Sequence, residues 1–153
     1  MRLKDLHSKP GHLIRRAQQI AVAIFMEECA EFDLTPVQYA AMVAIRENPG
    51  TDATRLSSLI AFDRSTLGSV LERLEARKLV TRYSARQDKR VKALKLSASG
   101  AGLLKRAEVS VRRAQDRILA PLPPDQQSTL IELLGRLVDL NNEASRVPLR
   151  LVG

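Results

Sequence analysis

Cysteine occurs once in this 153-residue chain, histidine twice and tryptophan not at all. A single thiol rules out an internal disulfide and a cysteine-rich zinc site, and it fits a reducing compartment such as the cytoplasm. His7 and His12 are too few for a histidine metal cage, so neither a metal nor another cofactor is expected. Long apolar runs are missing as well. The longest, Ile20–Met26, falls well short of the roughly 18 residues a membrane span needs. The opening MRLKDLHSKPGH has no apolar stretch behind its charges, and no signal peptide is expected there. GxSxG, HExxH, P-loop and dinucleotide fingerprints are all absent, so no catalytic residue is assigned and an enzyme is not expected.

What is present is ordinary in amount and unusual in placement. Hydrophobic residues make up 44% and charged ones 27%, values typical of a folded domain. The net charge of +8 is concentrated. Residues 64–95 hold 10 basic and 3 acidic side chains, net +7, whereas residues 1–63 hold 7 and 8, net −1. A compact anion-binding surface follows, with nucleic acid or an anionic membrane as candidate partners.

Element types choose between them. Gly11–Phe32 lacks proline and predicts one long helix, whose middle, IAVAIFM, is apolar on every side. A small domain rarely surrounds a helix so completely, which points to burial by a second subunit. Thr35, Pro36 and Gln38 form a capping box for a helix that Asn48, Pro49 and Gly50 end. Asp52 caps a short helix with Leu56, Leu59 and Ile60 on one face. Asp63 caps another, Arg64–Lys78, with Leu67, Val70, Leu71 and Leu74 at helical spacing. Two short helices with a tight connection, the second basic, make a helix-turn-helix pattern. The period then changes to two strands joined by Ala85–Arg90, a hairpin with a basic tip. Ser97 caps a long helix, Ala98–Leu119, and Pro124 opens a last one striped by Leu130, Leu133, Leu134, Leu137 and Leu140. The fold class is mainly α with a small β-hairpin, in one interwoven domain spanning 1–153.

A helix entering the major groove needs short polar side chains near its N-terminus. Ser65, Thr66 and Ser69 supply them, Gly68 removes bulk beside them, and Arg64 reaches a base or a phosphate. The alternative is that Ser65 and Thr66 merely satisfy first-turn amides. Arg73 and Arg77 lie farther along, suited to phosphates or acidic partners. At the hairpin tip Arg86, Lys89 and Arg90 suit the narrow, electronegative minor groove. A separate run, His12, Arg15, Arg16 and Gln19, sets polar and cationic heads beside the apolar part of the first helix. That combination fits an aromatic carboxylate or the phosphates of a coenzyme A thioester, or a plain surface patch.

DKRVKALKLSASG, with Asp88, Arg90, Leu96, Ser97 and Gly100, and DRSTLGSVLERLEARKLV before it resemble the wing and recognition helix of the MarR family of transcriptional regulators. The resemblance covers roughly Gly11 to Asn142. It departs from the family pattern at Ser97, where Thr is usual, and at Lys78, where Gly is usual. It implies a winged helix-turn-helix at 34–97 and dimerisation helices at 11–32 and 98–145. A homodimer would then bind a pseudo-palindromic DNA operator. It also implies that Arg90 inserts into the groove, that Asp88 orients the wing by pairing with an arginine such as Arg73, and that Tyr39 and Arg113 face an effector pocket. GHLIRRAQQIAVAIFMEE looks like the subgroup controlling catabolism of aromatic acids and their coenzyme A thioesters. A repressor released by such an effector is the expected function. The alternatives are a thiol redox sensor using Cys29, or a basic membrane-surface or scaffold protein. Glu27 and Glu28 beside Cys29 oppose thiol activation, and basic groups on a short helix plus hairpin favour DNA over a membrane.

Overall fold

The computed structural model describes residues 2–151. Seven α-helices and one two-stranded sheet run in the order α1 (Leu3–Leu6), α2 (Pro10–Glu28), α3 (Pro36–Glu47), α4 (Ala53–Leu59), α5 (Arg64–Ala76), β1 (Val80–Ser84), β2 (Lys92–Leu96), α6 (Ala98–Leu119) and α7 (Pro124–Leu140), with 3-10 turns at Ala30–Phe32 and Asn142–Ala144. The architecture is a mainly helical winged helix-turn-helix, as the sequence predicts.

Capping chemistry sets most boundaries. The Thr35 hydroxyl accepts from the Gln38 amide at 3.2 Å, and the Thr35 amide donates to Gln38 Oε1 at 3.0 Å, so two first-turn donors are satisfied reciprocally. Asp52 accepts from the Arg55 amide, Asp63 from the Ser65 amide and Ser97 from the Gly100 amide. One core runs through both halves: Leu34, Met42, Ile45, Leu56, Leu67, Leu71, Leu74, Leu94 and Leu104 are almost wholly buried. α2 packs along α6, and α3 bridges that pair to α4, α5 and the hairpin. β1 and β2 pair antiparallel with Val80 opposite Leu96, Arg82 opposite Leu94 and Ser84 opposite Lys92. The loop before α4 extends this sheet. The Gly50 amide donates to the Leu94 carbonyl at 2.9 Å and the Leu94 amide to the Thr51 carbonyl at 2.8 Å. Gly50 has φ +89°, a conformation that suits a residue without Cβ.

Three features differ from expectation. The first long helix stops at Glu28 instead of Phe32. Cys29 closes it, a 3-10 turn follows, and Asp33 takes φ 48°. A short helix at Leu3–Leu6 precedes it. The recognition helix ends at Ala76 rather than Lys78, because Lys78 itself adopts φ 57°. The Lys78 amide donates to the Glu75 carbonyl at 2.8 Å and the Leu79 amide to the Leu74 carbonyl at 2.9 Å, a helix-terminating pair normally built around glycine. Lysine thus occupies the left-handed position itself, and the turn into β1 keeps its geometry.

The apolar stretch Ile20–Met26 buries only Phe25 within one chain, and Ile20, Val22 and Met26 stay exposed. α7 buries no residue at all, leaving Ile131, Leu133, Leu134, Leu137, Val138 and Leu140 in solvent.

Candidate nucleic-acid interface and effector region

α5 presents its apolar face, Leu67, Val70, Leu71 and Leu74, to the core, and helical periodicity therefore turns Arg64, Ser65, Thr66, Ser69 and Arg73 outward. Asp63, not Ser65 or Thr66, satisfies the first turn. Its Oδ1 accepts from the Ser65 amide at 2.9 Å and from the Ser65 hydroxyl at 2.7 Å, and these bonds hold the carboxyl below its ordinary range. The Ser69 hydroxyl donates to the Thr66 carbonyl at 2.9 Å and keeps its acceptor lone pairs outward. Beside Gly68 a Cβ would meet nothing within 4 Å, so this side of the helix is open to close approach.

The wing tip is wholly solvent-facing. Arg86, Asp88, Lys89 and Arg90 are all exposed, and the Arg90 side chain is 95% accessible. Asp88 does not pair with Arg73. Its Oδ1 accepts the Arg90 amide at 2.9 Å and lies 3.7 Å from Arg90 Nε, so it braces the turn that carries Arg90. Arg73 lines a cleft with Met26, Thr35, Gln38 and Arg77. Between the wing and the helix-turn-helix lies a second cleft of about 260 Å³, lined by Arg64, Arg82, Arg90 and Lys92 together with Asp52, Thr54 and Leu94. Arg82 is held there by Glu75 at 2.9 Å, and Lys92 Nζ donates to the Ser84 hydroxyl at 3.0 Å. Sequence reasoning missed Arg82 and Lys92. Strand alternation alone marked them, and their meeting with Arg64 depends on the β1–β2 register.

The six residues expected at an effector site do not converge within one chain. Arg15 Nη1 donates to Gln19 Oε1 at 2.9 Å, and Gln19 lines a shallow cleft with Gln18, Val22 and Ala23. His12 stacks on His7 with ring centroids 5.2 Å apart. Its pKa is lowered, first by desolvation and then by Arg15, His7 and Arg16, which favours the uncharged ring. Tyr39 sits elsewhere, its ring 6.0 Å from Phe25, with burial raising its hydroxyl pKa. Phe25 is ten residues beyond Arg15, about 15 Å along the helix. Arg113 is engaged as well: Nε donates to Glu28 at 3.1 Å and Nη2 to the Ser110 hydroxyl at 2.9 Å. Arg117 joins it on Glu28 at 2.7 Å, and the two guanidiniums hold that carboxyl below its ordinary range. Tyr39 and Arg113 thus tie α2 to α3 and α6. Cys29 is fully buried, and burial, followed by Glu28, pushes its thiol up, away from the reactive thiolate. No helix among the described residues is long and apolar enough to cross a membrane.

Comparison with known proteins agrees with this geometry. A profile of the MarR family matches residues 32–91. A putative transcriptional regulatory protein for the hcr operon of Thauera aromatica is 31% identical over 87% of this chain and 81% of its own. Among solved structures, the transcriptional repressor CouR bound to a 23-mer DNA duplex superposes with a TM-score of 0.81 at 27% identity, covering 90% of this chain and 98% of that one. BpsR of Bordetella bronchiseptica, whose structure addresses regulation of its DNA binding by 6-hydroxynicotinic acid, superposes with a TM-score of 0.80 at 28% identity, covering 87% and 95%.

Proposed function

The chain belongs to the MarR family of transcriptional regulators, and from that premise we propose that it is a homodimeric repressor, acting in the cytoplasm, that binds a pseudo-palindromic operator and is released by a small aromatic carboxylate or its coenzyme A thioester. The observation that carries the DNA reading is the juxtaposition of an outward polar face on α5 with a cleft lined by Arg64, Arg82, Arg90 and Lys92. α5 enters the major groove, where Ser65, Thr66 and Ser69 meet base edges. The wing tip sends Arg90 into the flanking minor groove, while Arg86 and Lys89 meet backbone. Arg64, Arg82 and Lys92 seat a phosphate between the two.

Salt dependence separates these roles. Lys89→Ala or Lys92→Ala should weaken binding nearly uniformly across sequences and flatten the slope of log K against log salt by about 0.9 each. Arg90→Ala should cost about 1–3 kcal/mol on the operator, most where A·T pairs lie under the wing. Ser69→Phe, which blocks groove entry, should change sequence preference instead. The measurement is a salt titration on duplexes selected from a random library and on random DNA. Equal losses on both for all four variants would reduce the face to an electrostatic patch.

The effector reading rests on Arg15, Arg16 and Gln19 beside the exposed apolar side chains of α2, with His12 as a hydrogen-bonding neighbour. BpsR, a relative regulated by an aromatic acid, supports that ligand class. An inducer releases DNA only by binding the DNA-incompetent arrangement more tightly. A hundredfold release needs about 2.7 kcal/mol of coupling, which a charge-assisted contact of roughly 1.5–3 kcal/mol largely supplies. Arg15→Ala/Arg16→Ala should therefore abolish the response to 6-hydroxynicotinic acid or whichever aromatic acid or thioester releases wild-type protein, and spare operator affinity. Wild-type release by the double variant, in a titration against operator-bound protein, would move the anion site elsewhere.

A further inference from the structure

Beyond α7 the chain makes a closed loop that the DNA reading does not use. Asn142 Nδ2 donates to the Leu149 carbonyl at 3.2 Å, and the Leu149 amide donates back to Asn142 Oδ1 at 2.8 Å. The Arg150 guanidinium grips both oxygens of Glu143, at 2.6 and 2.9 Å. This loop is fastened to the last turn of α4 and to the residue that caps the recognition helix. The Arg150 amide donates to the Ser58 carbonyl at 3.0 Å, and Arg146 Nη2 lies 3.1 Å from Asp63 Oδ2. Asp63 is the residue whose other oxygen caps α5. Between loop and turn runs a cleft of about 480 Å³ walled by Ala61, Val138, Ala144 and Leu149.

The far end of α5 is held too. Arg77 donates to the Asp33 carbonyl at 2.5 Å and to the Phe32 carbonyl at 2.8 Å, at the foot of α2. The recognition helix, seated in the core through Leu67, Val70, Leu71 and Leu74, is therefore also tied at both ends. Its C-terminus is tied to α2, and its N-terminus is tied through residues 142–150 to α7. The Arg146–Asp63 pair alone is too exposed to fix anything firmly. The backbone bond from Arg150, with a loop held closed by Asn142, supplies the geometric constraint.

We propose that residues 142–150 are a strap, with Asn142, Arg146 and Arg150 as positioning residues, that fixes the N-terminus of the recognition helix relative to α7 and so sets the separation of the two recognition helices on DNA. This rests on the dimeric operator reading above. A strap of this kind makes half-site spacing, not sequence, the property it controls.

The test uses duplexes enriched from a random library by the full-length protein, and derivatives with one base pair inserted or removed between half-sites, a change of about 3.4 Å. Asn142→Ala/Arg150→Pro opens the loop and deletes the amide donated to Ser58. Asn142→Ala alone frees the loop from Leu149 and leaves the Arg150 amide in place. The double variant should bind the parent duplex about tenfold more weakly, the size of one or two lost hydrogen bonds, and its penalty for altered spacing should shrink by a similar factor. Asn142→Ala alone should move both quantities the same way by about threefold, and it decides the matter if the double variant does not fold. Salt slopes should stay at the wild-type value. An unchanged spacing penalty overturns the strap, as does a uniform loss with a slope shallower by about 1, which would make Arg150 a phosphate contact. Wild-type protein that enriches no duplex overturns the operator reading and the strap together, whereas enrichment with unaltered spacing penalties overturns the strap alone.

Discussion

Leu134→Glu/Leu137→Glu on α7 is expected to yield a monomer that binds the operator at least about a hundredfold more weakly than wild type. The expectation starts from α7, seventeen residues long, with no buried side chain and six large apolar ones in solvent. Tertiary packing of an apolar face is what usually holds a protein helix, and one chain gives this helix almost none. α2 offers a matching surface in Leu13, Ile14, Ile20, Val22 and Met26, each at least 39% exposed. Each leucine buried between subunits contributes about 1.5–3 kcal/mol, and a glutamate there replaces that gain with a desolvation cost. Once subunits separate, each recognition helix binds its half-site alone, and the gain from linked binding, commonly 10²–10⁴, disappears. Sedimentation at micromolar concentration together with operator titration measures both effects. A variant that remains dimeric, or a monomer that keeps wild-type operator affinity, would locate the interface elsewhere.

Gly100→Ala should destabilise the fold by about 3 kcal/mol or more, whereas Gly102→Ala, two residues on in the same helix, should be neutral or slightly stabilising. A Cβ on Gly100 would land on the Leu79 carbonyl oxygen, with the Leu79 carbonyl carbon at 3.0 Å. That oxygen cannot swing aside. It accepts from the Ser97 amide at 3.0 Å and from the Ser97 hydroxyl at 3.2 Å, and Leu79 leads directly into β1. Accommodation therefore means prising α6 from the start of the wing, and Val80 and Leu94 are both core residues there. At Gly102 the added methyl group would meet only the mobile Arg106 guanidinium at 3.5 Å, so helix propensity decides the sign. Urea unfolding of the two variants side by side is the measurement. Equal midpoints would mean that the packing of α6 on the wing base yields more readily than its backbone contacts indicate.

The fold was legible in the sequence wherever a side chain writes its own boundary. Thr35 with Gln38, Asp52, Asp63, Ser97 and Pro124 each start a helix where they stand, and α6 runs over Ala98–Leu119 as read. The break at Cys29 was not legible, because no glycine or proline marks it. It comes from burying Phe32 and Leu34 and from Arg77, more than forty residues away, pulling on the Phe32 and Asp33 carbonyls. The outward face of α5 was readable because its buried partners recur at helical spacing. Arg82 and Lys92 were not, since their convergence on Arg64 depends on a strand register that pairs Ser84 with Lys92. Tyr39 and Arg113 carried an expectation taken from resemblance, and local partners, Phe25 for one and Glu28 for the other, decided their positions. The segment after α7 has no periodicity to read, so its attachment to Ser58 and Asp63 had no signal.

Lys78 bears on how this protein would respond to selection for heat tolerance. An L-residue with φ 57° carries roughly 1–2 kcal/mol of backbone strain that glycine would not. Yet the lysine is one of the ten cations between residues 64 and 95, placed at the joint between recognition helix and wing. Exchange for glycine would move the chain toward a more durable but less positively charged form, slower to find a polyanion. Lysine there favours encounter rate, and glycine would favour thermal endurance.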